Sequence, residues 1–297
     1  MFDPLQKSRF GGRPVRLFRF QLQGAVWWFA QADRDLDPPG GATYRAAAIE
    51  CDDIRQTNEP AKDKLKIRVA YLRDPNASPA DIPSTQDFGD LWHPYIPSDA
   101  VQVMCLEWMY GDSDPPKLRW SGYVAQPEFT DVQLELTCIP STAIGEAKAQ
   151  GPRNQRACWK VPYSTGLRGC NLVAADFEVP GTITAIDGLT VTVPEFAAPE
   201  FPLLQGEFRW PRTITAHNGD IEIIERRTIT KVDGAAVTLL YGGLGLAAAV
   251  EVATLPTCPG TWDACAARRD DPQNHFGGCV YKPVKSPYDG GESMSWG

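Results

Sequence analysis

The sequence predicts a mainly β protein. It reads as an N-terminal β-barrel or sandwich domain, then a C-terminal cysteine-ligated domain with a small β-barrel inserted into it. Three observations carry this. Short runs in the first half alternate apolar and polar residues. Three β-branched segments in the second half each turn on an Asp-Gly or Asn-Gly pair. Cysteine pairs flank that second region on both sides. The 26 glycines and 26 prolines agree, because they predict many turns and short elements.

In chain order, "VRLFRFQL" is the first strand. "AVWWFA" is the second, and its adjacent aromatics Trp27, Trp28 and Phe29 point to opposite faces. Either one face is core and the other a subunit interface, or both are core. "KLKIRVAYL" puts Leu65, Ile67 and Val69 on one face and Lys64, Lys66 and Arg68 on the other. "VQVMCLEWMYG" and "DVQLELTCI" follow. In the latter, Val132, Leu134, Leu136 and Cys138 share a face, and in the former Cys105 has the parity of Val101 and Val103. Cys105 and Cys138 therefore read as small core residues, while Cys51 stays open. "DRDLDPPGG" is turn material, and "RDPNASPADIPSTQDFGD" reads as a long surface loop.

"STAIGEAKAQGPRNQRAC" is the best boundary and divides the chain into 1–150 and 151–297. Past it, "TITAIDGLTVTV", "TITAHNGDIEII" and "TITKVDGAAVTLL" start at Thr182, Thr213 and Thr228. Each reads as a hairpin, so three hairpins predict about six strands and an inserted barrel over about 175–252.

Composition excludes several classes. The 43% apolar content supports real cores, and 22% charged residues is too few for a disordered tail. A net charge of −8 argues against specific nucleic-acid binding, which needs clustered Lys and Arg. "MFDPLQKSRFGGRPVRLF" lacks an apolar signal region, and no run is long enough to span a bilayer. The expectation is folding in a reducing cytoplasm, where eight cysteines are ligands or core thiols rather than disulfides.

A thiol nucleophile needs a histidine base. His93 falls in a loop, and His217 reads as a solvated turn residue. His275 follows Cys265 by ten positions without a protease signature around it. Four cysteines suffice for zinc, but Cys158–Cys170 and Cys258–Cys265 enclose eleven and six residues, wider than the usual zinc knuckle. An iron–sulfur cluster suits such spacing better, with Arg153, Arg156, Arg168, Arg268 and Arg269 nearby to offset its charge. Four core cysteines are the bland alternative, and Cys279, beyond a Gly-Gly turn, ranks below the other four. There is no G-x-G-x-x-G, Walker A or H-E-x-x-H pattern, so no enzyme is expected and no catalytic residue is assigned.

"TCPGTWDACAARRDDPQNHFGG" and "CWKVPYSTGLRGCNL", followed by "GTITAIDGLTVTV", resemble the C-terminal signature of phage tail-tip hub proteins. "LFRFQLQGAVWWFAQADRDL" and "GATYRAAAIECDDIRQTNEPAKDKLKIRV" extend the resemblance over most of the chain. That family includes the hubs of gene transfer agents and is similar in role to the minor tail protein L of lambda-like phages. The resemblance implies a baseplate hub at the virion tail tip, with a [4Fe–4S] cluster on Cys158, Cys170, Cys258 and Cys265. It also implies a homotrimer whose two tube-like β-domains form a pseudo-sixfold ring. The partners it implies are the distal tail protein, the tail tube, the tape-measure protein and a central tip or fibre-attachment protein. DNA would pass through the lumen, and an acidic wall would repel it; ordinary solubility explains the charge equally well. The competing readings are a metal-dependent or cysteine-based cell-wall peptidase of the tail tip, and a host-carbohydrate-binding module.

Overall fold

Alternation becomes strand wherever one side of a run has a core to face. The computed structural model describes residues 12–54, 63–74, 76–142 and 155–281. The chain is mainly β and divides into two units. Unit 1 comprises Met1–Lys148, Trp210–Arg226 and Gly242–Leu246, and unit 2 the remainder. The expected boundary segment lies largely outside the described residues.

Unit 1 carries an eight-stranded sheet of β1 (Pro14–Leu22), β2 (Ala25–Ala30), β3 (Arg45–Ala46), β4 (Ile49–Cys51), β5 (Leu65–Ala70), β6 (Gln102–Met109), β7 (Lys117–Phe129) and β8 (Gln133–Pro140). The order is β3-β2-β1-β6-β7-β8-β5-β4. All neighbours are antiparallel except β2 and β3. Although β3 and β4 are consecutive in the chain, they lie on opposite edges. The Ala47 N–H donates to the Ala30 carbonyl at 3.1 Å, and the Ala48 carbonyl accepts from the Ala70 N–H at 3.0 Å. Residues 45–51 thus touch both edges, and the sheet curls round on itself.

The core inside the curl follows the predicted faces. Leu65, Ile67 and Val69 are buried, as are Val103, Cys105, Leu134, Leu136 and Cys138. Val132 departs from its predicted face. It precedes β8 in the turn and is 67% exposed. Burial pushes the Cys138 thiol up to about 12, as expected of an inert core residue. Cys51 packs against the same core, with its sulfur accepting from Arg16 Nη1 at 3.2 Å. Both faces of β2 are covered. Trp27 and Phe29 enter the main core, while Trp28 packs on a smaller cluster with Leu17, Ala30 and Trp108.

Three sequence expectations change here. The segment predicted as a surface loop holds α1 (Gln86–Gly89), and its Phe88 is 1% exposed. Phe88 stacks within 4.4 Å of Phe20 and 5.6 Å of Trp27 and Phe29. A polar loop thus delivers an aromatic plug to the barrel interior. The longest strand of unit 1, β7, was not foreseen because Gly122 and Pro127 interrupt its pattern. Gly122 is required there: a Cβ would lie 2.1 Å from the Ile139 carbonyl oxygen.

The third change is His217. It is not a solvated turn residue. Its backbone N–H donates to the Val26 carbonyl at 3.1 Å, and its Nδ1 accepts from the Trp28 N–H at 3.0 Å. Asn218 Oδ1 accepts from the Val26 N–H at 3.0 Å, and its Nδ2 donates to the Gly24 carbonyl at 2.9 Å. Two turn side chains thereby satisfy edge donors of β2 that have no strand partner there.

The second sheet contains β9 (Val179–Thr182), β10 (Ala185–Asp187), β11 (Thr190–Thr192), β12 (Glu207–Ala216), β13 (Gly219–Asp233), β14 (Ala236–Leu239) and β15 (Glu251–Leu255). Its order is β10-β11-β14-β13-β12-β15-β9. All three predicted hairpins form, but with five strands rather than six. The 15-residue β13 closes the second hairpin and opens the third, because those two motifs start only one strand length apart. Two loops also shift by one position. Gly188 and Gly234, both at φ 58°, are the first loop residues, and the aspartates before them end the strands. Consecutive strands again occupy opposite edges. Ile183 N–H donates to the Val250 carbonyl at 3.1 Å, and Thr184 N–H to the Thr192 carbonyl at 2.9 Å.

Candidate functional site: a four-thiol cavity

The site lies wholly in unit 2 and is built from three stretches of irregular chain. In the first, residues 161–171 form a tight loop. The Asn171 side chain accepts from the Gly166 N–H and donates to the Gly166 carbonyl, both at 2.9 Å. The Ser164 hydroxyl accepts from the Cys170 N–H at 3.0 Å. Such side-chain bonds replace a ladder where no strand partner exists. The eleven residues between Cys158 and Cys170 therefore fold back on themselves. The Tyr163 hydroxyl donates to the Pro256 carbonyl at 2.7 Å, tying this loop to the second stretch.

The second stretch, Thr257–Gly260, leads into α2 (Trp262–Ala266). The Thr261 hydroxyl caps this helix by accepting from the Ala264 N–H at 3.3 Å. The Gly260 carbonyl accepts from the Cys158 N–H at 2.8 Å, so the two cysteine segments lie side by side. Gly260 sits at φ 69°, and a Cβ there would approach the Cys158 carbonyl oxygen at 3.3 Å.

The third stretch contains α3 (Pro272–His275), Phe276 and the glycine pair. Gly277 N–H donates to Cys158 Sγ at 3.2 Å. A Cβ on Gly278 would lie 2.3 Å from the Arg156 carbonyl oxygen, which explains that glycine by close packing alone. Cys279 is exposed, and its N–H donates to the Gln155 carbonyl at 2.8 Å.

These stretches enclose a cavity of about 120 Å³ lined by Cys158, Cys170, Cys258 and Cys265. All four sequence-grouped cysteines thus face one space, each partly buried. Cys279 does not line it. Burial pushes the Cys265 thiol up, the Arg269 guanidinium draws it down, and the other three thiols raise it again. Among the described residues, no three His, Cys, Asp or Glu side chains converge tightly enough to hold a single ion.

The arginines separate clearly. Arg153 lies outside the described residues, and Arg156 and Arg168 are exposed. Arg268 is buried, donates to the Ala264 and Thr257 carbonyls at 3.2 and 2.8 Å, and lies 4.3 Å from the Phe201 ring centroid. Arg269 Nη2 donates to the Asn171 carbonyl at 3.0 Å. Several cavity residues had no site role in the sequence reading, His275 among them. His275 lines the same space, with its Nε2 3.2 Å from Asp271 Oδ2. The signal was its place three residues before the second glycine, in the loop that reaches Cys158.

Two curled sheets and a pocket lined by four thiols define the class: a mainly β, barrel-like protein with a cysteine-lined pocket. No protein-family model matches the chain. A protein of Xylella fastidiosa (strain 9a5c), described only as uncharacterized, is 43% identical over 217 residues. That match covers 70% of this chain and 45% of the relative, so the chain spans under half the length of the curated relative it matches. Among solved structures, a chain from the virion of a native gene transfer agent particle superposes with a TM-score of 0.67. It covers 98% of this chain and 97% of that one at 15% identity, which shows a shared fold. No helix among the described residues is long and apolar enough to cross a membrane.

Proposed function

We propose that this chain is a structural, non-enzymatic component of a phage-like virion, specifically a homotrimeric baseplate hub at the tail tip. In this reading it joins the tail tube and distal tail protein to the tape-measure and central tip proteins, around a lumen through which DNA passes. The near full-length likeness to a gene transfer agent virion chain supports the virion role. The hub, trimer and partner assignments follow from the resemblance of its motifs to hub proteins.

The observation that carries the site reading is the four thiols around one cavity. In this reading Cys158, Cys170, Cys258 and Cys265 hold a [4Fe–4S] cluster. The residues fit such a group: four soft donors line one cavity, a Gly277 N–H donates to one sulfur, and a Cβ at Gly277 would crowd that sulfur at 3.2 Å. The group would supply a crosslink between chain segments. Cys170 and Cys258 lie 88 positions apart. Closing a loop of that size removes about 4–5 kcal/mol of unfolded-state entropy by the disulfide loop-closure relation. A tip protein assembled in a reducing compartment gains rigidity that a disulfide would not keep there.

The test is anaerobic purification with iron, sulfide and zinc assays and a visible spectrum. About four irons and four sulfides per chain, with a thiolate-to-iron charge-transfer band, are expected from the cluster stoichiometry. Zinc alone, or no metal, overturns the cluster. Detecting the chain at the tail tip of purified particles, by labelled electron microscopy, tests the hub role.

One observation favours a second reading. His275 shares the cavity with the thiols and is paired with Asp271, the arrangement of a thiol hydrolase. Among the described residues no hydrogen bond joins His275 to a sulfur. Metal-free protein that cleaves cell wall, and loses this on His275→Gln, would establish that reading instead.

A further inference from the structure

We propose that Arg269 is the counter-charge of the four-cysteine site, donating from Nε and Nη1 to the sulfur-bound group and raising its reduction potential. This rests on the cluster reading above.

The argument starts from an orphaned cation. Arg269 Nε and Nη1 are both buried without a partner, although a guanidinium is always charged and its five N–H groups are strong donors. Leaving two such donors unmet in a native fold is costly, and each such case asks for an explanation. Only Nη2 is used, on the Asn171 carbonyl at 3.0 Å. That contact anchors the guanidinium one residue from Cys170. In sequence, Arg269 is also one helical turn beyond Cys265. The side chain therefore links the two cysteine segments at the cavity.

Its neighbour provides the contrast. Arg268 also has a buried Nε without a partner, but its Nη1 and Nη2 both reach carbonyls and its guanidinium lies over the Phe201 ring, so it is held chiefly by packing. Arg156 and Arg168 are exposed and screened by water. Arg269 is the arginine of the described set with two buried unmet nitrogens, and its one bond is to the residue after Cys170. Four thiolates on a [4Fe–4S]²⁺ core leave a net charge of −2, and one added electron makes it −3. A fixed cation with N–H donors stabilises the more negative state more, so it raises the potential. Here the electron comes from the titrant, and no physiological electron transfer is implied.

The experiment compares the full-length chain with Arg269→Gln, Arg269→Lys and Arg168→Gln, all purified anaerobically. Iron and sulfide per chain, circular dichroism and the midpoint of a dithionite titration are measured. The expected result is a lower midpoint for Arg269→Gln, partial recovery for Arg269→Lys, and no change for Arg168→Gln. If Arg269→Gln folds but loads poorly, recovery of loading by Arg269→Lys supports the charge role. Equal loading failure in Gln and Lys variants overturns it. Full loading of Arg269→Gln with an unchanged midpoint also overturns it and leaves the cluster reading standing. Wild-type chain without iron and sulfide overturns both.

Discussion

His217 shows how much one side chain does when a turn is docked rather than solvated. Its imidazole accepts from the Trp28 N–H and meets the Phe29 ring edge-on at 4.8 Å. It is held neutral, its pKa lowered to about 4, first by burial and then by Arg45, against the pull of Asp35. A depressed histidine contributes stability that is present above about pH 6.5, the unfolded value. That stability is lost as pH falls towards about 4, where the folded-state imidazole takes up its proton. Allowing for partial exposure, the loss is about 1–2 kcal/mol. Urea midpoints measured from pH 7 to pH 4.5 should fall in the native chain, and the fall should be visibly shallower in His217→Gln. An identical slope in both would mean that the Trp28 bond does not hold the hairpin tip.

Among the elements, α1 has an importance out of proportion to its four residues. Thr85 and Gln86 stitch it to the end of β5, the threonine through the Ala70 carbonyl and the glutamine through the Leu72 N–H and carbonyl at 3.0 Å. Gly89 permits the approach, since a Cβ would fall 2.2 Å from the Tyr71 ring. The outcome is Phe88 at the centre of five aromatic side chains' packing. Phe88→Ala should cost about 3–5 kcal/mol, the range for a fully buried phenylalanine. Denaturant unfolding of the full chain measures it. A loss below about 1 kcal/mol would show that the cavity collapses freely and that Phe88 is not the plug.

Across the whole molecule, six of the eight cysteines sort into two sets with different consequences. Cys105 and Cys138 are buried in the unit 1 core, whereas Cys158, Cys170, Cys258 and Cys265 line the unit 2 cavity. Replacing either kind by serine therefore predicts different losses. On the cluster reading, Cys258→Ser should abolish metal retention and lower the melting temperature. Cys279→Ser should leave both unchanged, because that thiol is exposed and lines nothing. Metal analysis and calorimetry of the two variants check this, and metal loss in Cys279→Ser with retention in Cys258→Ser would reassign the site.

The sequence by itself determined the strands whose pattern is local. Alternation in 65–69 and 134–138, and glycines at 188, 219 and 234, need only near neighbours to be read. It also showed Cys158, Cys170, Cys258 and Cys265 as two pairs on either side of a β-rich stretch, and all four line one cavity. Tertiary structure alone decided the rest: the closure of each sheet by one continuous segment, the sharing of β13 by two hairpins, Phe88 in the core, and His217 on an open strand edge. The entry of His275 and the choice of Arg269 over Arg268 belong there too. Each of these depends on a partner far away in the chain, where burial and unmet hydrogen bonds, rather than periodicity, select the arrangement.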